Sequence, residues 1–250
     1  MPLPRYLLIT LLAGGLPLLG LSAARADFVT IKGVKIHYTV QGNGTPVVLI
    51  HGMNVNSTIN WGLPGIITLL SQNHKVIAVD LPGHGKSDRP QYDSAYGLQM
   101  EENILGVLDN LGIRKAHIVG YSLGSVVAMK FLVKHQDRVL SGVLCAVGWL
   151  KPGSGCEQGW EKIPGSRFGA PEPCQRLIGE LAVTKEEILT VHVPVEIFVG
   201  GEDPNRMLTV APLRLLREDW PLVTVPNAGH INAMFKPEFK NALKEWLDRH

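Results

Sequence analysis

Charge is scarce in this chain and nearly balanced. Of 250 residues, 18% are charged, with 24 Lys and Arg against 22 Asp and Glu. No basic run stands out, which excludes the clustered positive face that a nucleic-acid partner demands. Cysteine is limited to Cys145, Cys156 and Cys174, and their spacings match no zinc site. Aromatic residues make up only 6%. There is no internal repeat and no low-complexity tract, so solenoids and extended tails are excluded as well. What is plentiful is aliphatic: 45% of the residues are hydrophobic, enough to fill a sizeable core.

Long apolar runs are absent except at the start. "MPLPRYLLITLLAGGLPLLGLSAARA" carries one early arginine, an apolar stretch from Tyr6 to about Leu21, and Ala24-Arg25-Ala26. A positive start, an apolar middle and a small-x-small ending read as a secretory signal peptide over residues 1–26, cleaved after Ala26. An uncleaved membrane anchor is the alternative, but Gly14, Gly15 and Pro17 interrupt a stretch already short for a span. The expectation is a secreted or periplasmic protein with no stable membrane span in the mature form. Without Arg5 and Arg25 the remainder is formally neutral, so surface charge gives no steering of a charged partner.

From residue 27 onward, buried-strand runs alternate with helical spacing, as expected of a single domain over 27–250. "FVTI" and "VKIHYTVQG" form an opening hairpin. "PVVLIHG", "HKVIAVD", "KAHIVG", "RVLSGVLCAVG" and "VPVEIFVGG" read as strands buried on both faces. "PLVTVPNAGH" supplies a last strand. "WGLPGIITLLSQN", "YGLQMEENILGVLDNLGI", "SLGSVVAMKFLVKHQ" and "KPEFKNALKEWLDRH" have the three- and four-residue spacing of helices. Such alternation implies an α/β fold with parallel pairing and helices on both faces. Chemistry in such sheets sits at the carboxyl ends of the strands.

One strand-to-helix junction is unusual. In "GYSLGS" Ser122 lies between Gly120 and Gly124, at the end of a strand and the start of a helix. This Gly-x-Ser-x-Gly turn is a nucleophile elbow, which holds the hydroxyl out at the sheet edge. Activating that hydroxyl needs a base. Among nine histidines, His230 ends the last strand after Gly229. Asp203, in "GGEDP", is the acid that fixes the tautomer of that base, with neighbouring Glu202 as the substitute. The backbone N–H groups of Met53 and Leu123 form an oxyanion hole. Asn54, Trp149, Leu150, Trp160, Phe168 and Met234 are candidate lining of a substrate pocket.

Taken together, "HGMN", "DLPGHGKSDRP", "GYSLGS", "GGEDP" and "NAGH" resemble, in order, the motifs of the α/β-hydrolase superfamily over nearly all of residues 28–250. The resemblance implies a mostly parallel eight-stranded sheet, no metal and no organic cofactor. His84, in the second motif, is then structural. Relatives that dehalogenate or open epoxides carry aspartate at the elbow, and serine here argues against both. The resemblance implies a secreted serine hydrolase of the carboxylesterase or lipase type, acting on a small-molecule ester, lactone or thioester. A non-hydrolytic receptor, a cofactor-free perhydrolase and a carbon–carbon hydrolase are the alternatives. The insertion after the sixth strand, residues 149–183, is short and rich in Gly and Pro. It reads as loops with one short helix near "CQRLIGEL". A bridge between Cys156 and Cys174 is expected to order it, leaving Cys145 a buried thiol.

Overall fold

The structure, a computed structural model, describes residues 25–160 and 169–250. The expected leader lies outside the described residues up to position 24, as do Phe168 and the side chain of Trp160. The strands are β1 (Arg25–Ile31), β2 (Val34–Gln41), β3 (Thr45–Ile50), β4 (His74–Val79), β5 (Ala116–Tyr121), β6 (Val139–Cys145), β7 (Val195–Gly200) and β8 (Leu222–Val225). They form one sheet in the order β1-β2-β4-β3-β5-β6-β7-β8. The first two strands make an antiparallel hairpin, β2 pairs antiparallel with β4, and every later pairing is parallel. The helices are α1 (Ile66–Leu70), α2 (Leu98–Asn110), α3 (Leu123–Lys134), α4 (Gly155–Trp160), α5 (Glu172–Arg176), α6 (Lys185–Leu189), α7 (Ala211–Leu216) and α8 (Pro237–Arg249).

The two-residue period of a strand splits the core into two layers. In β3, Val48 and Ile50 face α2 and α3, whereas Val47 and Leu49 face α1 and α8. The first layer holds Met100, Ile104 and Phe131; the second holds Trp61, Phe239 and Trp246. Helices on both faces leave the carboxyl edge of the sheet free for chemistry.

The insertion between β6 and β7 contains the short helix expected near "CQRLIGEL", as α5 followed by a 3₁₀ turn at Ile178–Leu181, and departs from the expected loops in α4. The expected bridge is absent: Cys156 and Cys174 are both free, and so is Cys145. Cys174, on α5, is completely buried in the first core layer, and Cys156, on α4, packs half-buried against the same layer. Apolar packing holds these two cysteines where a covalent link was expected. Two further elements had no counterpart in the sequence reading. One is α6, which begins with a reciprocal cap between Thr184 and Glu187. The other is the π turn Arg206–Val210 leading into α7. No helix among the described residues is long and apolar enough to cross a membrane.

Candidate active site

The elbow forms because its neighbours have no side chains. A Cβ on Gly120 would lie 2.0 Å from the Gly124 carbonyl oxygen, and one on Gly124 would lie 2.1 Å from that of Ile50. With both positions bare, β5 runs straight into α3 against the end of β3. Ser122 takes a left-handed φ of 55°, a strained conformation for a residue with a side chain. Its backbone N–H donates to the Cys145 carbonyl at 2.9 Å.

Asp203 and His230 come together through the ends of β7 and β8. Gly200 allows the two chains to touch, since a Cβ there would lie 2.2 Å from the Ala228 carbonyl oxygen. The Glu202 N–H then donates to that carbonyl at 2.9 Å. As a result His230 Nδ1 lies 2.8 Å from Asp203 Oδ2, and its Nε2 lies 2.9 Å from Ser122 Oγ. The Asp203 carboxylate is completely buried. Its other oxygen accepts the Asn205 N–H at 2.9 Å. An acceptor-only carboxylate fixes the ring proton on Nδ1, so Nε2 faces the serine as an acceptor. The Asn205 amide nitrogen, 3.2 Å from Nδ1, is then a neighbour of the ring and not a donor to it.

The Leu123 N–H is the first of α3 and has no acceptor within the helix. Met53 lies on the loop after β3, and that loop is held from three sides. Gly52 N–H donates to Asn60 Oδ1 at 2.8 Å. His51 accepts the Leu81 N–H on Nε2 at 3.0 Å and donates from Nδ1 to the Gly52 carbonyl at 2.6 Å. Asn54 Oδ1 accepts the Ala170 N–H at 2.7 Å, joining the loop to the base of the insertion. His84 plays no part at the serine. Burial first, and neighbouring His51 second, push it down to about 3. It is a neutral ring bonded to the Pro82 carbonyl.

A cavity of about 750 Å³ opens beside Ser122 and His230. Among the described residues its walls include Met53, Asn54, Val147, Cys156, Asn205 and Leu208. Of the expected lining, Asn54 is therefore in place, while Met234 lines a second, smaller cavity that shares Ser122 and His230. Leu150 is buried in the core and Trp149 packs against it, its Nε1–H donating to the Val183 carbonyl at 2.7 Å. Neither lines the cavity: an apolar residue in an insertion serves the core as readily as a pocket.

Sequence reasoning missed Asn205, Tyr121 and Asn60. Tyr121 donates its hydroxyl to the His230 carbonyl at 2.7 Å, tying down the histidine loop. Asn205 carried a weak signal, two residues beyond the acid, where a backbone N–H can reach back to a carboxylate. The bonds from Tyr121 to His230 and from Asn60 to Met234 cross more than a hundred residues, and nothing local announces them.

Residues 45–176 match the family model of the α/β hydrolase fold. The chain belongs to this family. It is 39% identical over 125 residues to an uncharacterized protein of Mycobacterium tuberculosis, a stretch covering 49% of this chain and 35% of that one. It is 32% identical over 117 residues to 2-hydroxy-6-oxo-6-phenylhexa-2,4-dienoate hydrolase of Comamonas testosteroni, covering 46% and 41% of the two chains. These matches thus span well under half the length of the curated relatives. Among solved structures, E-2-(acetamidomethylene)succinate hydrolase superposes with a TM-score of 0.76 at 22% identity, over 90% of this chain and 99% of the other. A meta-cleavage product hydrolase superposes with a TM-score of 0.72 at 27% identity, over 90% and 98%.

Proposed function

We propose that this protein is a serine hydrolase that cleaves carboxylic esters, lactones and thioesters included, through an acyl-enzyme. One observation carries the reading. An unbroken chain of hydrogen-bonding atoms runs from Asp203 through His230 to Ser122, at 2.8 and 2.9 Å, beside an open cavity. His230 Nε2 takes the proton of Ser122 as Oγ attacks the ester carbonyl. The oxyanion forms against the Met53 and Leu123 N–H groups, and one such donor is worth on the order of 3 kcal/mol. His230 then protonates the departing alcohol while Asp203 stabilises the imidazolium. Water repeats the sequence on the acyl-enzyme and releases the acid.

Export belongs to the same proposal and rests on the pattern of residues 1–26. Cleavage after Ala26 would leave Asp27–Ile31 of β1 paired with β2. A second reading, hydrolysis of a carbon–carbon bond next to a ketone, is favoured by the relatives named as dienoate hydrolases. The same three side chains would serve it.

The test is a panel of p-nitrophenyl esters with a vinylogous keto acid beside them, together with a fluorophosphonate probe. Parent protein should cleave esters and label at Ser122. Ser122→Ala, still folded, should do neither. Equal turnover by parent and variant removes Ser122 from the mechanism. Cleavage of the keto acid alone transfers the assignment to the second reading. Binding of esters without turnover by either protein points to a receptor.

A further inference from the structure

His230 owes its position to other residues. Among the described residues, neither its N–H nor its carbonyl joins a backbone–backbone hydrogen bond. It lies between β8 and the 3₁₀ turn Ala233–Phe235, in a loop open to solvent, where the next residue, Ile231, is 80% exposed. A general base has little latitude there, since a misplacement of about 1 Å can cost roughly 10²-fold in rate.

Besides the contacts of the imidazole ring, two hydrogen bonds tie this loop to the rest of the site. Each comes from the residue just before another catalytic side chain. The Glu202 N–H, next to Asp203, donates to the Ala228 carbonyl at 2.9 Å. The Tyr121 hydroxyl, next to Ser122, donates to the His230 carbonyl at 2.7 Å. The first bond joins two backbones, and any residue with an N–H would make it. The second needs a phenol. A third bond, from the Gly229 N–H to Asn232 Oδ1 at 2.8 Å, only closes the loop on itself.

The Tyr121 ring is a firm anchor. It is 3% exposed. It packs edge-on against Trp61, 6.0 Å between centroids, and tilted against Phe239 at 6.2 Å. Tyr121 is also the last residue of β5, one step from the nucleophile. Its hydroxyl therefore refers the backbone of the base to the strand that carries the serine, across 109 positions of sequence.

We infer that Tyr121 is a positioning residue, whose hydroxyl acts through the His230 carbonyl to keep Nε2 in line with Ser122 Oγ while protons pass in both directions. The inference rests on the ester-hydrolase reading above and adds to it a residue that works through the base. The demand on position is greatest when His230 turns proton donor. The proton taken from Ser122 Oγ then goes to the leaving oxygen as its bond to the acyl carbon breaks. A p-nitrophenolate departs without that proton, whereas an alkoxide does not.

The test compares methyl and p-nitrophenyl esters of the acid that the parent protein cleaves best. Tyr121→Phe keeps the ring and removes the hydroxyl, and thermal melting checks its fold. Acylation limits turnover of the methyl ester, so KM there reads binding and kcat reads the proton transfers. In Tyr121→Phe the methyl-ester kcat should fall roughly tenfold to a hundredfold, with KM unchanged. Its kcat/KM for the p-nitrophenyl ester should fall by a smaller factor. Tyr38→Phe is the control for a lost buried hydroxyl. Tyr38 is as buried as Tyr121 and its hydroxyl accepts the Asn110 amide at 2.9 Å, but it lies on β2, three strands from β5. It should lower the melting temperature and leave kcat unchanged. An unchanged kcat in Tyr121→Phe, an equal loss with both leaving groups, a rise in KM in place of the fall in kcat, or an equal loss in Tyr38→Phe would overturn the positioning role. A parent protein that neither cleaves an ester nor labels at Ser122 with the fluorophosphonate would overturn the hydrolase reading instead, which keeps the two failures apart.

Discussion

Replacing Asp203 by asparagine changes one atom in a fully buried side chain, and the structure says what that atom must do. The carboxylate accepts twice: from His230 Nδ1 at 2.8 Å and from the Asn205 N–H at 2.9 Å. An amide can accept at only one of these sites. With its oxygen kept on Asn205, its NH₂ faces His230 Nδ1 and the ring proton moves to Nε2. Nε2 then presents a donor to Ser122 Oγ, 2.9 Å away, where a base is needed. With the amide turned over, the ring keeps its proton on Nδ1, but two buried donors, the NH₂ and the Asn205 N–H, oppose each other. Leaving buried donors unpaired costs about 1–3 kcal/mol, so the inactive orientation dominates. The active minority also lacks the carboxylate that stabilises the imidazolium, a charged hydrogen bond worth about 1.5–3 kcal/mol. Together these come to about 2.5–6 kcal/mol, or roughly 10² to 10⁴ in kcat. Single-turnover hydrolysis of a p-nitrophenyl ester, with the fold checked by thermal melting, reads this directly. Glu202→Gln is the control. Glu202 is exposed and only its backbone N–H is engaged, with Ala228, so it should change kcat less than twofold. More than a tenth of parental activity in Asp203→Asn, or a larger loss in Glu202→Gln, would refute the assignment.

Other consequences are measurable with the same protein. Gly124→Ala would place a methyl group 2.1 Å from the Ile50 carbonyl oxygen and 2.7 Å from that of His51. Both are backbone atoms, so thermal stability should fall by about 1–3 kcal/mol or more, with kcat falling alongside; an unchanged melt would refute the close approach. Without reductant, iodoacetamide should label one thiol in the native protein and three after denaturation, because Cys156 lines the large cavity and the other two cysteines are buried; a single labelled thiol after denaturation would mean that one bridge had formed. Burial pushes His84 down to about 3 and His117 to about 4. Unfolded histidine, with a pKa of about 6.5, binds protons in that window when the native rings do not, so stability should fall as the pH drops from 6.5 towards 4. Glu196, pushed up to about 7 by burial, works in the opposite direction. The melting midpoint should still drop, since two histidines outweigh one carboxyl, and a midpoint that rises towards pH 5 would refute it.

The sheet was legible because its central strands are buried on both faces and announce themselves as unbroken aliphatic runs. The helices α2, α3 and α8 were legible for a similar reason, having enough turns to show a period. By contrast α6, with five residues, is too short to repeat. A capping signal was present for α6, since Thr184 stands three residues before Glu187, but no apolar period followed it. Ser122, Asp203 and His230 could be picked out because glycines punctuate the strand ends where they sit. Their neighbours could not. Asn60 meets Met234 across 174 positions, a contact set by how the loop after β3 and the loop after β8 converge. Side-chain type alone gives no hint of it.

The insertion shows the same limit from the other direction. Its glycines, prolines and two cysteines suggest a flexible strap in need of a covalent tie. The structure ties it by other means at its described base. Asn54 accepts the Ala170 N–H, and Arg89 donates to the Gly169 carbonyl at 2.6 Å. Pro171 lies against Gly83, where a Cβ would meet it at 2.4 Å. Cys174 then continues into the core. Three of these anchors (Asn54, Gly83 and Arg89) belong to the loops after β3 and β4, the first of which carries Met53 of the proposed oxyanion hole. The base of the insertion and the loop that carries Met53 are therefore one connected piece. A change that loosens the roof, such as Arg89→Ala, acts on the Met53 donor through Asn54 and Ala170. It should lower kcat as well as raise KM. If the insertion were only a cover for the cavity, the same change would raise KM alone.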